Sequence, residues 1–219
     1  FIAIMGPSGS GKSTLVSILS GITTPTTGNV TICNQSIHDM DRFEMALFRR
    51  RKLGFVFQEF NLLDTFTLKD NIFLPLVLAG KKHSYMEKEL APIAKRLGIE
   101  ELLEKHPYEV SGGQKQRAAV ARAMITNPKL ILADEPTGAL DTETSVQVME
   151  LLKKVANDRL VIMVTHNPEL AEERSYMWAK ELKTLGVNWP FGPMGNMISS
   201  FFASSTSVPS SLNSTVPGS

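Results

Sequence analysis

The chain has 219 residues, enough for one sizeable core with a smaller appended part. Hydrophobic residues at 42% and charged residues at 21% describe an ordinary globular protein and exclude a fibrous or polyelectrolyte one. A formal net charge of +1 makes no case for nucleic acid as an obligatory partner, and the single Cys33 excludes an internal disulfide, so a reducing compartment is expected.

The first residues, Phe1-Ile2-Ala3-Ile4-Met5, are apolar and run straight into Gly6 without a basic leader, so they read as a strand rather than a signal peptide. The chain starts without Met, and an earlier segment is expected. Leu15, Ile18 and Leu19 share one face of a helix that stops at Gly21. Residues 41–51 read as a second helix, and the apolar run 53–57 as a strand that halts at Gln58. From about 67 to 106 the pattern is helical with no clear strand, which suits an inserted helical subdomain. A helix over 111–125 stops before Asn127-Pro128. The run 130–133 ends on Asp134-Glu135-Pro136, a helix follows over 142–156, and the run 160–164 ends on Thr165-His166. Short continuous apolar runs separated by helices predict an α/β fold with a parallel sheet covered on both faces. Ligands of such sheets bind beyond the carboxyl ends of the strands, where the polar residues stand. After Lys183 no residue is charged, and Ser, Pro, Gly, Asn and Thr dominate, so residues 175–219 are expected to be a disordered tail. The sequon at Asn213 reads as chance.

Gly6-Pro7-Ser8-Gly9-Ser10-Gly11-Lys12-Ser13-Thr14 carries the phosphate-loop spacing G-x-x-x-x-G-K-[ST]. Glycines let the backbone curl until successive N–H groups face phosphate oxygens, and a helix beginning at Lys12 adds its positive dipole end. Lys12 is expected to reach the β and γ phosphates, and the Ser13 hydroxyl a magnesium ion. Asp134, at a strand tip, suits the magnesium shell, and the adjacent Glu135 suits polarisation of an attacking water. Without the phosphate loop upstream, the same residues would be an acidic turn broken by Pro136. Ser111 and Gln114 fit a helix capping box, yet the box does not ask for Gly112 and Gly113 in the first turn. Bare backbone at a helix N-terminus suits close approach of an anion, and the two readings coexist.

The phosphate loop, Gln58, Ser111-Gly112-Gly113-Gln114, the run closing on Asp134-Glu135, Ala139-Leu140-Asp141 and Thr165-His166 occur in the order of ATP-binding-cassette ATPases. The chain resembles that family from residue 1 to about 171. The resemblance implies a phosphate-loop NTPase: a mostly parallel sheet flanked by helices, in an ATPase domain over 1–174 with a helical subdomain at about 67–125, incomplete at both ends. It implies two copies sandwiching two ATP molecules with Mg²⁺, so that Ser111, Gly112, Gly113 and Gln114 of one face the γ-phosphate held by Lys12 of the other. Gln58 would sense the metal and the attacking water, Asp141 would lie at the dimer seam, and His166 would contact the γ-phosphate. The segment 50–64 with 67–72 is similar to transporter ATPases of the macrolide-export and lipoprotein-release superfamily, above all the bacitracin-export type. That likeness implies a separate membrane permease, a place at the cytoplasmic face of the membrane, and a groove for a permease helix lined by some of Phe55, Phe57, Phe60, Leu62 and Leu63. The basic stretch 49–52 reads as a solvated face, and His38, His83 and His106 as surface residues without metal-ligand spacing.

Two departures bear on activity. Relatives supply an adenine-stacking aromatic ring from a segment before the first strand here, and no residue of this sequence takes that role. The resemblance also ends near Glu172-Glu173-Arg174, and the tail is not expected to supply the family's further strands. The rival expectation is therefore a truncated, catalytically impaired nucleotide-binding fragment. A soluble cassette acting on ribosomes or DNA ranks last, since neither paired cassettes nor a coiled-coil insertion between Lys12 and Ser111 is present.

Overall fold

A computed structural model describes residues 1–6 and 9–165 of the chain. Strand β1 (Ile2–Met5) leads through the glycine loop into helix α1 (Lys12–Leu19). A hairpin of β2 (Thr31–Ile32) and β3 (Gln35–Ser36) precedes α2 (Arg42–Lys52) and β4 (Leu53–Val56). Helices α3 (Leu68–Val77), α4 (His83–Leu97) and α5 (Gly112–Met124) follow, then β5 (Leu130–Asp134), α6 (Thr142–Val155) and β6 (Leu160–Thr165). The expected tail over 175–219, with Asn213, lies outside the described residues.

The helices start where local chemistry tells them to. Asp41 and Glu44 form a reciprocal capping box on α2, with bonds of 2.8 and 3.0 Å, and Arg49 to Lys52 occupy its last turn, where the helix dipole is negative. Thr67 caps α3 and Asp141 caps α6 more simply, each side chain accepting a backbone N–H of the first turn. The β2–β3 hairpin was not legible in the pattern, because its turn places Cys33 and Asn34 at φ 52° and 60°. That geometry normally announces itself by Asn-Gly, and Cys-Asn carries no such signal.

The four long-range strands form one parallel sheet in the order β1-β6-β5-β4. Alternation along β5 divides the core. Leu130 and Leu132 pack toward α1, α2 and the hairpin, while Ile131 and Ala133 face the cluster built with α3, α4, α5 and α6. The helical stretch that the sequence set apart as a subdomain has no strand, and its apolar residues are continuous with the sheet's own core through α5. Met5 stands opposite Thr165, Asp134 opposite Val164 and Val56 opposite Ala133, so the carboxyl ends of all four strands open on one edge.

Close packing of α5 on β4 depends on Gly54. A Cβ there would collide with the Ala123 carbonyl oxygen of α5, a backbone atom that cannot rotate away. Gly54→Ala is expected to cost about 2–3 kcal/mol, lowering the melting temperature by about 5–10 °C in a thermal denaturation scan. A shift under 2 °C would mean that the two elements separate freely.

Candidate functional site

Gly9 and Gly11 sit at φ 79° and 87°, and no side chain at either position would meet a neighbouring atom. Backbone conformation, not space, therefore requires glycine in this loop. Gly11 is the N-cap of α1 and supplies no capping side chain, so the first amides of this helix carry none of the protection given to α2, α5 and α6. Lys12 is only 7% exposed, and its Nζ donates to the Gly6 carbonyl at 2.8 Å, arching over the loop. Ser10 Oγ is buried and has no partner among the described residues. An uncapped helix start, a curled glycine backbone, an unpartnered hydroxyl and one ammonium converge where a polyphosphate fits. Pro7 and Ser8 lie outside the described residues.

The Ser13 hydroxyl donates to Asp134 Oδ1 at 3.3 Å, although β6 separates their strands. Burial raises the pKa of Asp134; the Ser13 hydrogen bond and Lys12 oppose that shift, and Glu135 adds to it. A carboxylate that is desolvated beside a hydroxyl suits a hard divalent cation, with remaining ligands from phosphate and water. No group of three His, Cys, Asp or Glu able to hold a metal exists among the described residues. Glu135 follows at φ 48°, a left-handed conformation for a residue with a side chain; its N–H bonds Val164 O at 3.0 Å and its carbonyl closes a turn with Gly138 N–H at 2.9 Å.

Gln58 stands just past the end of β4, against the loop that follows β5, and a Cβ on Gly138 would meet its Nε2 at 2.8 Å. The structure thus brings Gln58 to the Glu135 loop, as the strand order requires. Arg122, a residue that sequence reasoning passed over, holds the Gln58 loop from α5. Its guanidinium donates to the carbonyls of Phe60 (2.7 Å) and Asn61, two consecutive residues at φ 60° and 48°. Its two partners are carbonyls rather than a carboxylate, and burial lowers its pKa.

At the tip of α5, Ser111 and Gln114 form the expected box, with bonds of 2.9 and 3.3 Å. The glycines have a reason inside the chain that the sequence did not disclose. A Cβ on Gly113 would clash with the methyl of Thr144 on α6, and one on Gly112 would press on Leu140 at 3.1 Å. Asp141 accepts the Thr144 N–H at 2.9 Å and hydroxyl at 2.7 Å, and these bonds lower its pKa. Within one copy, then, Asp141 is a helix cap beside the Ser111 tip. His166 directly follows Thr165 and lies outside the described residues.

A groove of about 630 Å³ opens between α2, β4, α3 and α5. Phe55 and Phe57 line it, their rings stacked at 4.1 Å, together with Phe43 and Leu78, each 71% exposed. Leu62 packs into the core instead, and Phe60 lies toward Gly112. The basic stretch is not merely solvated. Arg49 donates to Gly21 O at 3.1 Å and Arg50 to Leu78 O, tying α2 to the ends of α1 and α3, and both line the groove. His106 closes a short turn with Glu109, and exposed His83 reaches Glu87 at 3.5 Å. Among the described residues no helix is long and apolar enough to cross a membrane.

The family profile described as ABC transporter matches residues 1–138. The chain is 55% identical over 170 residues to ABC transporter ATP-binding protein YxdL of Bacillus subtilis (strain 168), covering 77% of this chain and 66% of that protein. It is 45% identical over 174 residues to bacitracin export ATP-binding protein BceA of Halalkalibacterium halodurans, covering 78% and 68%. Among solved structures, the dimeric post-hydrolysis state of the ATP-binding cassette MJ0796 bound to ADP and Pi, from Methanocaldococcus jannaschii, superposes with a TM-score of 0.69 at 42% identity, covering 78% of this chain and 76% of that one. The chain spans about two thirds of the length of the curated relatives it matches.

Proposed function

The chain belongs to the ABC transporter family, and we propose that it is the ATP-binding, ATP-hydrolysing subunit of an exporter, acting as a pair of copies beneath a separate membrane permease. One observation carries the reading: the uncapped start of α1, Lys12 and the Ser13–Asp134 pair converge at the carboxyl edge of the sheet, with Glu135 beside them. Gly6, Gly9 and Gly11 shape the loop, with Ser10 and Thr14 beside the phosphates, and Lys12 grips the terminal ones. Ser13 and Asp134 would hold Mg²⁺, which when bound neutralises the charge of the β and γ phosphates. Glu135 orients and polarises the attacking water, while Gln58 reports the state of the site to the helical layer. His166, which directly follows Thr165 in sequence, is proposed to contact the γ-phosphate because the family resemblance implies that role.

The second copy enters because Ser111, Gly112, Gly113, Gln114 and Asp141 stand together at the starts of α5 and α6, where Gly113 packs against Thr144. Facing another copy, that patch would complete the neighbour's site; the relative MJ0796 is dimeric in its ADP- and Pi-bound state. The permease would seat an amphipathic helix in the groove of Phe43, Phe55, Phe57 and Leu78, placing the chain at the cytoplasmic face of the membrane. BceA favours a bacitracin-type peptide as cargo.

Shared sites make activity depend on association. Turnover per chain is expected to rise about tenfold or more as chain concentration passes through the dimer dissociation constant, measured by phosphate release at saturating MgATP. Constant specific activity across a hundredfold dilution would remove the shared-site mechanism, and no phosphate release at any concentration would remove the ATPase reading.

A further inference from the structure

Gln116 lies on α5 beyond the Ser111 tip and is fully buried, at 0% exposure. Its Nε2 donates to the Pro136 carbonyl at 2.6 Å, while its Oε1 is buried with no partner. Reversing the amide would set two oxygens against each other, so the orientation is dictated by the carbonyl. The rest of the helix's inner face is apolar, with Ala118, Ala119, Val120 and Ala123 all buried. A methionine of similar volume would fill the place without burying the unpartnered Oε1, although it would leave the Pro136 carbonyl without this donor. Packing alone therefore does not account for glutamine here. The contact it makes does.

Pro136 follows Glu135, whose left-handed backbone is held by bonds to Val164 O and Gly138 N–H. The Gln116 amide is a tether from the inner face of α5 to the peptide next to Glu135. Resting on the ATPase reading above, we propose that Gln116 is a positioning residue: it fastens the helix whose tip serves the neighbouring copy's site to the loop whose Glu135 serves its own. Movement of the Ser111 tip on nucleotide binding is then transmitted to the general base. Both sites reach the reacting arrangement together.

The test uses the full chain and two variants, Gln116→Met and Gln116→Leu. Both remove the donor; the first keeps the volume. Gln116→Met exchanges one orphan oxygen, Oε1, for another, the Pro136 carbonyl, so it is expected to melt within about 3 °C of the parent. Its kcat is expected to fall about tenfold or more, with KM for ATP changing less than about twofold, because a displaced base affects the reacting state and not substrate binding. Hydrogen exchange over residues 135–140 is expected to quicken in both variants without change in β5 itself. A kcat within twofold of the parent in Gln116→Met, or a loss matched by a rise in KM or a collapse in melting temperature, would overturn the assignment. If the parent shows no turnover, the ATPase reading fails by itself, and unaltered exchange over 135–140 would independently overturn the tether.

Discussion

Lys12→Ala is expected to weaken MgATP binding at least about 100-fold and to abolish turnover. Lys12 is 7% exposed and its ammonium donates to the Gly6 carbonyl at 2.8 Å, so it is aimed across the loop before any ligand arrives. Charge-assisted bonds from a preorganised cation to phosphate are about twice as strong as neutral ones, and losing two or so corresponds to about 3 kcal/mol. Isothermal titration with ATP measures the loss. Retention of the parent's affinity would mean that the loop amides alone carry the phosphates, and the site assignment would fall. The variant's melting curve in the absence of nucleotide separates a lost ligand contact from a lost fold.

Glu135→Gln is expected to lower kcat about 10²–10³-fold while leaving nucleotide affinity within about threefold of the parent. The amide preserves shape at a position whose backbone is already strained at φ 48°, so the loop has no new conformation to adopt. What disappears is the negative charge proposed to polarise the attacking water. With hydrolysis blocked, the ATP-bound pair persists, and size-exclusion chromatography with MgATP should show a dimer that the parent holds only transiently. Turnover within twofold of the parent would move the general base to another residue. A dimer that never accumulates despite slow turnover would separate hydrolysis from association.

Both predictions rest on residues that sequence reading had named, and the reason lies in where they stand. Lys12, Ser13, Asp134, Glu135 and Gln58 each follow an apolar run that can only be a buried strand, and a parallel sheet delivers the ends of its strands to one edge. Chain-local signals suffice for such positions: glycine spacing, the stop of an apolar run, Ser111 followed by Gln114. The capping box on α5 was of this kind; the caps at Asp41 and Asp141, which the sequence reading had not named, are equally local.

Residues whose partners are distant in sequence were not legible. Gln116 and Arg122 look like interchangeable members of an amphipathic helix until the fold sets them against Pro136 and against Phe60 and Asn61. Gly54 and Gly113 carry no local need for glycine; the needs are the Ala123 carbonyl and the Thr144 methyl, supplied by other elements. The Arg49–Lys52 stretch looks solvated until α1 and α3 present the carbonyls of Gly21 and Leu78.

The sequence by itself determined the α/β alternation, the phosphate loop, the acidic strand tip and the capped helix that follows Ser111, since each is written in neighbouring residues. Tertiary structure alone decided which side chains hold the two loops in place, which glycines are steric necessities, and that the helical layer shares the sheet's core. Covalent order specifies local conformation through backbone sterics and short hydrogen bonds. Contacts between remote segments exist only after hydrophobic burial has brought those segments together.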